Sequence, residues 1–123
     1  MELTNKKILI CDDSILFRKQ IKECVETFFR PVEVYEAVDG NMAVSSYKQY
    51  TPDLVFMDII MPNKDGISAL ADILEFDSNA KVIMISSVGT QSYIKTAIET
   101  GAKNFLQKPI EPECVEKIIK IVL

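Results

Sequence analysis

The sequence predicts an α/β fold: five strand–helix units doubly wound into one parallel sheet, with helices on both faces. Three observations predict it. Apolar, strand-forming runs at residues 8–11, 54–57 and 82–85 carry no polar interruption, the pattern of strands covered on both faces. Each strand candidate is followed by a segment whose apolar residues recur at helical spacing. The connections are short, so successive strands run parallel and are joined by right-handed crossovers.

The elements follow in order. Residues 7–11 form the first strand. Asp13 or Ser14 can cap the next helix, whose apolar positions are Phe17, Ile21, Cys24, Val25 and Phe28, and Pro31 ends it. Residues 32–37 alternate, as a strand with one wetter face does. Asp39-Gly40 turns the chain into a short helix marked by Ala43, Val44 and Tyr47 and closed by Thr51-Pro52. Residues 54–57 deliver Asp58, and the chain breaks at Pro62 and Gly66. Ile67, Leu70, Ala71 and Leu74 give the third helix its stripe. Residues 81–85 are the fourth strand, ending in Ser86-Ser87. Ile94, Ala97 and Ile98 mark a fourth helix that stops near Gly101. Residues 104–107 are the fifth strand, followed by Lys108-Pro109. Val115, Ile118, Ile119 and Val122 line the last helix, with Glu111 and Glu113 placed well for its N-terminus.

Composition narrows the functions. A chain of 123 residues, 48% hydrophobic and 26% charged, can bury one real core as a single domain, residues 1–123. No apolar run approaches the about 18 residues of a spanning helix. Residues 1–7 lack the apolar centre and cleavage site of a signal peptide, so a cytoplasmic location is expected, with no membrane partner. A net charge of −4 argues against direct nucleic-acid binding. Cys11, Cys24 and Cys114 form no C-x-x-C pair and each lies in an apolar stretch, so reduced core thiols are expected. There is no histidine, which removes imidazole acid–base chemistry, phosphohistidine and imidazole metal ligation from this chain.

Asp12, Asp13, Asp58, Ser86 and Lys108 all fall at strand carboxyl ends, where open α/β sheets bind ligands. Three carboxylates in one crevice repel one another, and a hard divalent cation such as Mg²⁺ resolves the conflict. Lysine can pair with phosphate, a serine hydroxyl can donate to it, and aspartate can attack phosphorus. Together these groups suit phosphoryl transfer by positioning and electrostatics. Taken singly, each has a plainer reading. Asp12-Asp13 could be a helix cap, Asp58 a turn carboxylate, Lys108 a surface lysine, Ser86 a strand-end hydroxyl and Phe105 core. Asp39, Asp65, Asp72 and Asp77 are assigned to turns and solvated helix faces.

The whole chain resembles the receiver domains of response regulators, the CheY-like family. Asp12-Asp13 matches the acidic pair. Asp58 within Met57-Asp58-Ile59-Ile60-Met61-Pro62, followed by Gly66, matches the phosphoacceptor segment. Ser86 matches the Ser/Thr position, and Lys108-Pro109 the lysine and its proline. The resemblance implies a flavodoxin-like sheet of order 2-1-3-4-5. It implies that Asp58 accepts a phosphoryl group from a phosphohistidine of a partner histidine kinase, and that Mg²⁺ (or Mn²⁺) is held by Asp13, Asp58 and the Ile60 backbone carbonyl, with Asp12 acting through water. It implies that Lys108 pairs with Asp58 or its phosphate, that Ser86 moves to the phosphoryl oxygen and that Phe105 swings inward. The Lys108–Pro109 bond is expected to be cis. The face built from the fourth helix, fifth strand and fifth helix is then the output surface, on a monomer or a phosphorylation-dependent dimer. Phe105 stands where many members carry tyrosine. Apolar Ile60 and Val88 occupy two positions that tune phosphorylation and hydrolysis, so a slowly hydrolysing phosphoryl group is expected.

The leading expectation is therefore a two-component signalling switch rather than an enzyme. It is either a stand-alone regulator, with chemotaxis one option, or a receiver cut from a longer regulator or hybrid kinase. An aspartyl-phosphate phosphohydrolase would want a second aspartate where Ile60 stands. A flavin carrier would want a Gly/Ser/Thr-rich loop where Asp12-Asp13 stands.

Overall fold

The computed structural model describes residues 6–123, and the reading of residues 1–5 lies outside them. Five strands and five helices alternate: β1 (Lys6–Cys11), α1 (Ile15–Phe28), β2 (Val32–Ala37), α2 (Gly40–Tyr50), β3 (Leu54–Asp58), α3 (Gly66–Phe76), β4 (Val82–Ser86), α4 (Ile94–Thr100), β5 (Asn104–Gln107) and α5 (Pro112–Val122). A 3₁₀ segment, Val88–Tyr93, leads into α4. All strand pairs are parallel, in the order β2-β1-β3-β4-β5. This is the α/β architecture, and the order, that the sequence and its resemblance imply.

The uninterrupted apolar runs sit in the three central strands. Alternate residues serve opposite faces of the sheet. Ile8, Ile10, Leu54, Phe56, Ile83 and Ile85 pack with Phe17, Ile21 and Val25 of α1 and Val115 and Ile119 of α5. Leu9, Cys11, Val55, Met57, Val82 and Met84 pack with Ala43 and Tyr47 of α2, Leu70 and Ile73 of α3 and Ala97 of α4. Each fully buried aliphatic or aromatic side chain contributes about 1.5–3 kcal/mol. The register is therefore strongly fixed, because a one-residue slip would exchange the two faces. No described helix is long and apolar enough to cross a membrane.

Several side chains differ from expectation. Ala71 is exposed, and α3 buries Gly66, Ala69, Leu70 and Ile73 instead. The helix carries two interleaved stripes, and the tight seating of Gly66 on β3 selects the one that contains it. Phe29 is fully buried, whereas Phe28 is only partly covered. Phe29 is the extended C-cap residue of α1, so helical periodicity does not reach it. Ile98 is exposed, leaving Ala97 as the buried residue of α4.

The cysteines are free thiols, but only Cys11 is a core residue. Cys24 is half-buried and Cys114 is exposed, because its neighbour Val115 takes the inward position on α5. Burial, and then the Asp12 charge, push the Cys11 thiol well above its usual value. Reactivity follows the thiolate and its access to solvent. Alkylation of the native protein is expected at Cys114 first, with Cys11 modified only on unfolding. Peptide mass mapping of a time course checks this, and early labelling of Cys11 would refute it.

Candidate phosphoryl-transfer site

The carboxyl ends of β1, β3, β4 and the loop after β5 converge. Asp12 follows β1, and its backbone N–H donates to the Ala37 carbonyl at the end of β2. Its side chain is fully buried. Asp12 Oδ1 accepts from the Ser14 N–H at 2.7 Å, which turns the chain into α1. Ser14, rather than Asp13, is the N-cap of that helix and accepts from the Phe17 N–H. Asp13 is left exposed, with its carboxylate free to face the crevice.

Asp58 is the last residue of β3, paired with Ile85 in the register. The chain then turns back on itself: the Gly66 N–H donates to the Ile59 carbonyl at 2.7 Å. Asp65 caps α3 through the Ser68 N–H. Ile60 sits at the rim of this turn, exposed.

Ser86 ends β4. Lys108 is brought beside it when its backbone N–H donates to the Ser86 carbonyl at 2.8 Å. The Lys108–Pro109 bond is cis. The Lys108 Nζ lies 3.0 Å from Asp12 Oδ2 and 3.4 Å from Asp58 Oδ2, so one ammonium bridges two carboxylates. Asp12, Asp13 and Asp58 can each place a carboxylate oxygen within 4.8 Å of the others, a group able to hold a metal ion.

Electrostatics follow from this packing. Burial, then the charge of Asp12 beside it, push the Asp58 carboxyl up to about 6, against the pull of Lys108. Burial works against the charge on Lys108, but its hydrogen bond to Asp12 and the charge of Asp58 outweigh it and raise its pKa. One ammonium does not balance the carboxylates. That imbalance, and a donor set made only of oxygens, fit a hard divalent cation.

Ser86 Oγ is buried and has no hydrogen-bond partner. A native structure seldom leaves such a group idle, and Ser86 ends β4, the strand paired with β3 and Asp58. Ser86→Ala is expected to leave the phosphoryl-free protein as stable as the wild type, or more stable by up to about 1 kcal/mol, because it removes a desolvated hydroxyl that bonds nothing. Denaturant titration measures this. A loss above about 1 kcal/mol would mean that the hydroxyl already has a partner.

Phe105 does not join the cluster. It is 42% exposed and lines a groove of about 500 Å³ with Ile110, Cys114 and Ile118, so the plain core reading fails. Val88 is also at the surface, on the 3₁₀ segment. Of the four aspartates assigned to turns and solvated helix faces, Asp39 and Asp65 are helix caps and Asp72 pairs with Lys64. Asp77 differs: it accepts from the Tyr47 hydroxyl at 2.7 Å and so ties α2 to the end of α3.

Two site residues escape a reading of the sequence. Arg18 is mostly buried; its Nη1 donates to the Asp12 carbonyl at 2.8 Å and its Nε to Glu36 Oε1 of β2 at 2.9 Å. Only the pairing of β1 with β2 could have placed that carboxylate beside it. Phe17, legible as a core residue, also faces the Lys108 ammonium.

Comparison with known proteins identifies the family. The family model described as the response regulator receiver domain matches residues 8–120. Chemotaxis protein CheY of Halobacterium salinarum is 42% identical over 118 residues, covering 96% of this chain and 97% of that protein. Chemotaxis protein CheY of Bacillus subtilis is 44% identical over 118 residues, covering 95% and 97%. The crystal structure of the CheX–CheY–BeF3–Mg²⁺ complex from Borrelia burgdorferi contains a chain that matches with a TM-score of 0.85 at 36% identity, covering 96% of this chain and 90% of that one. With its fold, its acidic crevice and these relatives, the chain belongs to the response regulator receiver domain family and is CheY-like.

Proposed function

We propose that residues 1–123 form one receiver domain that acts as a phosphorylation-activated switch of a two-component system, with Asp58 as the phosphoacceptor. The observation that carries this reading is the crevice itself: Asp58 beside Asp12, with Asp13 in reach, and the Lys108 ammonium 3.4 Å away. The chain has no histidine, so the phosphoryl group comes from outside it.

Asp12, Asp13, Asp58 and the backbone carbonyl of Ile60 are the groups that would hold Mg²⁺ or Mn²⁺. When bound, the ion neutralises charge on the oxygens gathered around phosphorus. An Asp58 carboxylate oxygen attacks the phosphorus of a phosphohistidine on a partner kinase. The O–P bond forms as the P–N bond breaks, and the imidazole leaves with a proton from solvent. Lys108 then pairs with the phosphoryl oxygens. The unpartnered Ser86 hydroxyl donates to one of them, drawing in the start of the 3₁₀ segment. The exposed Phe105 turns inward, and the face of α4, β5 and α5 changes its affinity for an output protein. The Borrelia relative was crystallised with CheX, which supports a protein partner for this chain as well. Ile60 and Val88 offer no polar group to orient a water, in keeping with slow hydrolysis.

Incubation with Mg²⁺ and acetyl phosphate tests the reading. Intact mass spectrometry is expected to show one phosphoryl group per chain, absent when the metal is chelated and persisting for minutes after the donor is removed. Absence of any label overturns the proposal. Continuous hydrolysis of the donor without accumulated label points to a phosphohydrolase instead.

A further inference from the structure

The two carboxylates do not account for every partner of the Lys108 ammonium. Its Nζ also lies 4.2 Å from the centre of the Phe17 ring. That is within the about 6 Å over which the negative face of an aromatic ring attracts a cation. Phe17 is 6% exposed, and Lys108 only 27%, so solvent screens this contact weakly.

The ring is held in place from the same acidic residue that Lys108 binds. Asp12 Oδ1 accepts from the Ser14 N–H at 2.7 Å. Ser14 Oγ accepts from the Phe17 N–H at 3.2 Å. The Phe17 ring faces Lys108 Nζ, and that Nζ returns to Asp12 Oδ2 at 3.0 Å. The contacts close a circuit that joins the loop after β1, the first turn of α1 and the loop after β5.

We infer that Phe17 is a positioning residue for Lys108, its ring face holding the ammonium over Asp58 and so setting how fast Asp58 takes up a phosphoryl group. This rests on the phosphoacceptor reading above. Without the ring, a four-carbon side chain bonded at 3.0 and 3.4 Å has an open side toward α1 and can leave Asp58 for Asp12 alone. The contact acts through Lys108, because a phenyl ring carries no group that can bond phosphoryl oxygens or take up phosphorus.

Progressive ring fluorination at position 17 separates this role from plain packing. Fluorine changes the size of the ring little but strips the negative charge from its face. Uptake from acetyl phosphate with saturating Mg²⁺ is expected to slow step by step, to about 3- to 30-fold for the most fluorinated ring. Phe17→Leu is expected to lose a similar factor, and Phe17→Tyr, which keeps the ring face, to stay within about twofold. A second arm needs no phosphoryl transfer. In denaturant unfolding, Phe17→Leu and Lys108→Met are expected to be non-additive, with a coupling factor of about 3 or more in the unfolding equilibrium constant. If wild-type protein takes up no phosphoryl group, the proposed function falls, and the coupling factor alone decides this contact. Uptake that ignores fluorination overturns the inference, and so does a coupling factor of one.

Discussion

Asp58→Asn is expected to take up no phosphoryl group where the wild type is fully labelled, and in metal-free buffer at pH 7.5 (about neutral) to unfold at a higher temperature than the wild type. The two effects share one cause. An amide cannot attack phosphorus, so the acceptor is gone. An amide also carries no charge into a site where burial and Asp12 penalise charge. The folded-state pKa of about 6 lies above the usual 3.8. A carboxyl raised in this way stabilises the fold while protonated, and that contribution is lost as pH climbs through the folded value. The wild type therefore bears the full penalty above about pH 6 and none well below pH 3.8, so the advantage of the variant is largest at neutral pH and shrinks in acid. The rise converts to about 1–3 kcal/mol, less what Lys108 loses when one partner becomes neutral. That is several degrees in Tm for a domain of this size, on the order of 3–8 °C. Mg²⁺ should reverse the ranking by stabilising the wild type and not the variant, since only the wild type keeps the full carboxylate set. Calorimetry at pH 4.5 and 7.5, with and without Mg²⁺, checks the signs (both pH values are about those of common buffers). A variant less stable than the wild type at neutral pH in chelator would contradict the charge balance described here, and stoichiometric label on the variant would remove Asp58 as acceptor.

The sequence revealed the site residues one strand end at a time, because each lies where an apolar run stops. β1, β3 and β4 were legible for a physical reason: strands buried on both faces admit no polar residue, and few other local structures produce such runs. Strand order was not legible in that way. It depends on which runs pair across 20 to 50 residues (roughly the crossover lengths of such folds), and periodicity says nothing about it; the order came with the resemblance. The same limit hid Arg18. Its two partners, the Asp12 carbonyl and Glu36, meet only because β1 lies beside β2. The misplaced residues share a second cause. Ala71 and Ile98 fit helical templates but fall beside the inward positions that Leu70 and Ala97 take, and Phe28 packs only partly against the core because Phe29 takes the deeper place. Cys114 shows the same thing at the scale of one residue: beside Val115 on α5, it cannot also point inward.

Gly66→Ala is expected to be the most damaging single-methyl change in the protein, costing about 3–5 kcal/mol and, in whatever fraction folds, slowing phosphoryl uptake by more than about tenfold. A turn glycine is ordinarily read as a residue that frees the backbone. Gly66 has a different job, because its φ is not in the left-handed region that favours glycine. A Cβ at this position would lie 1.9 Å from the Asp58 carbonyl oxygen, 2.8 Å from the carbon that bears it and 3.0 Å from the Ile59 Cα. These are backbone atoms of Asp58 and Ile59, and no side-chain rotation can move them aside. The first turn of α3 must lift, which breaks the Gly66–Ile59 hydrogen bond and opens the core at Ala69 and Leu70, or the peptide after Asp58 must shift under it. The second route displaces the Asp58 carboxylate relative to Lys108, whose reach to it is already 3.4 Å. Gly40 repeats the device on the other side of the same loop, where a Cβ would meet the Lys64 carbonyl oxygen at 2.1 Å. Gly89 supplies the control. Nothing lies within 4 Å of its missing Cβ, so Gly89→Ala should stay within about 0.5 kcal/mol of the wild type. Equilibrium unfolding of the two variants side by side decides the matter. If Gly66→Ala unfolds with the wild type, the close seating of α3 on the exit of β3 is not what fixes the position of Asp58.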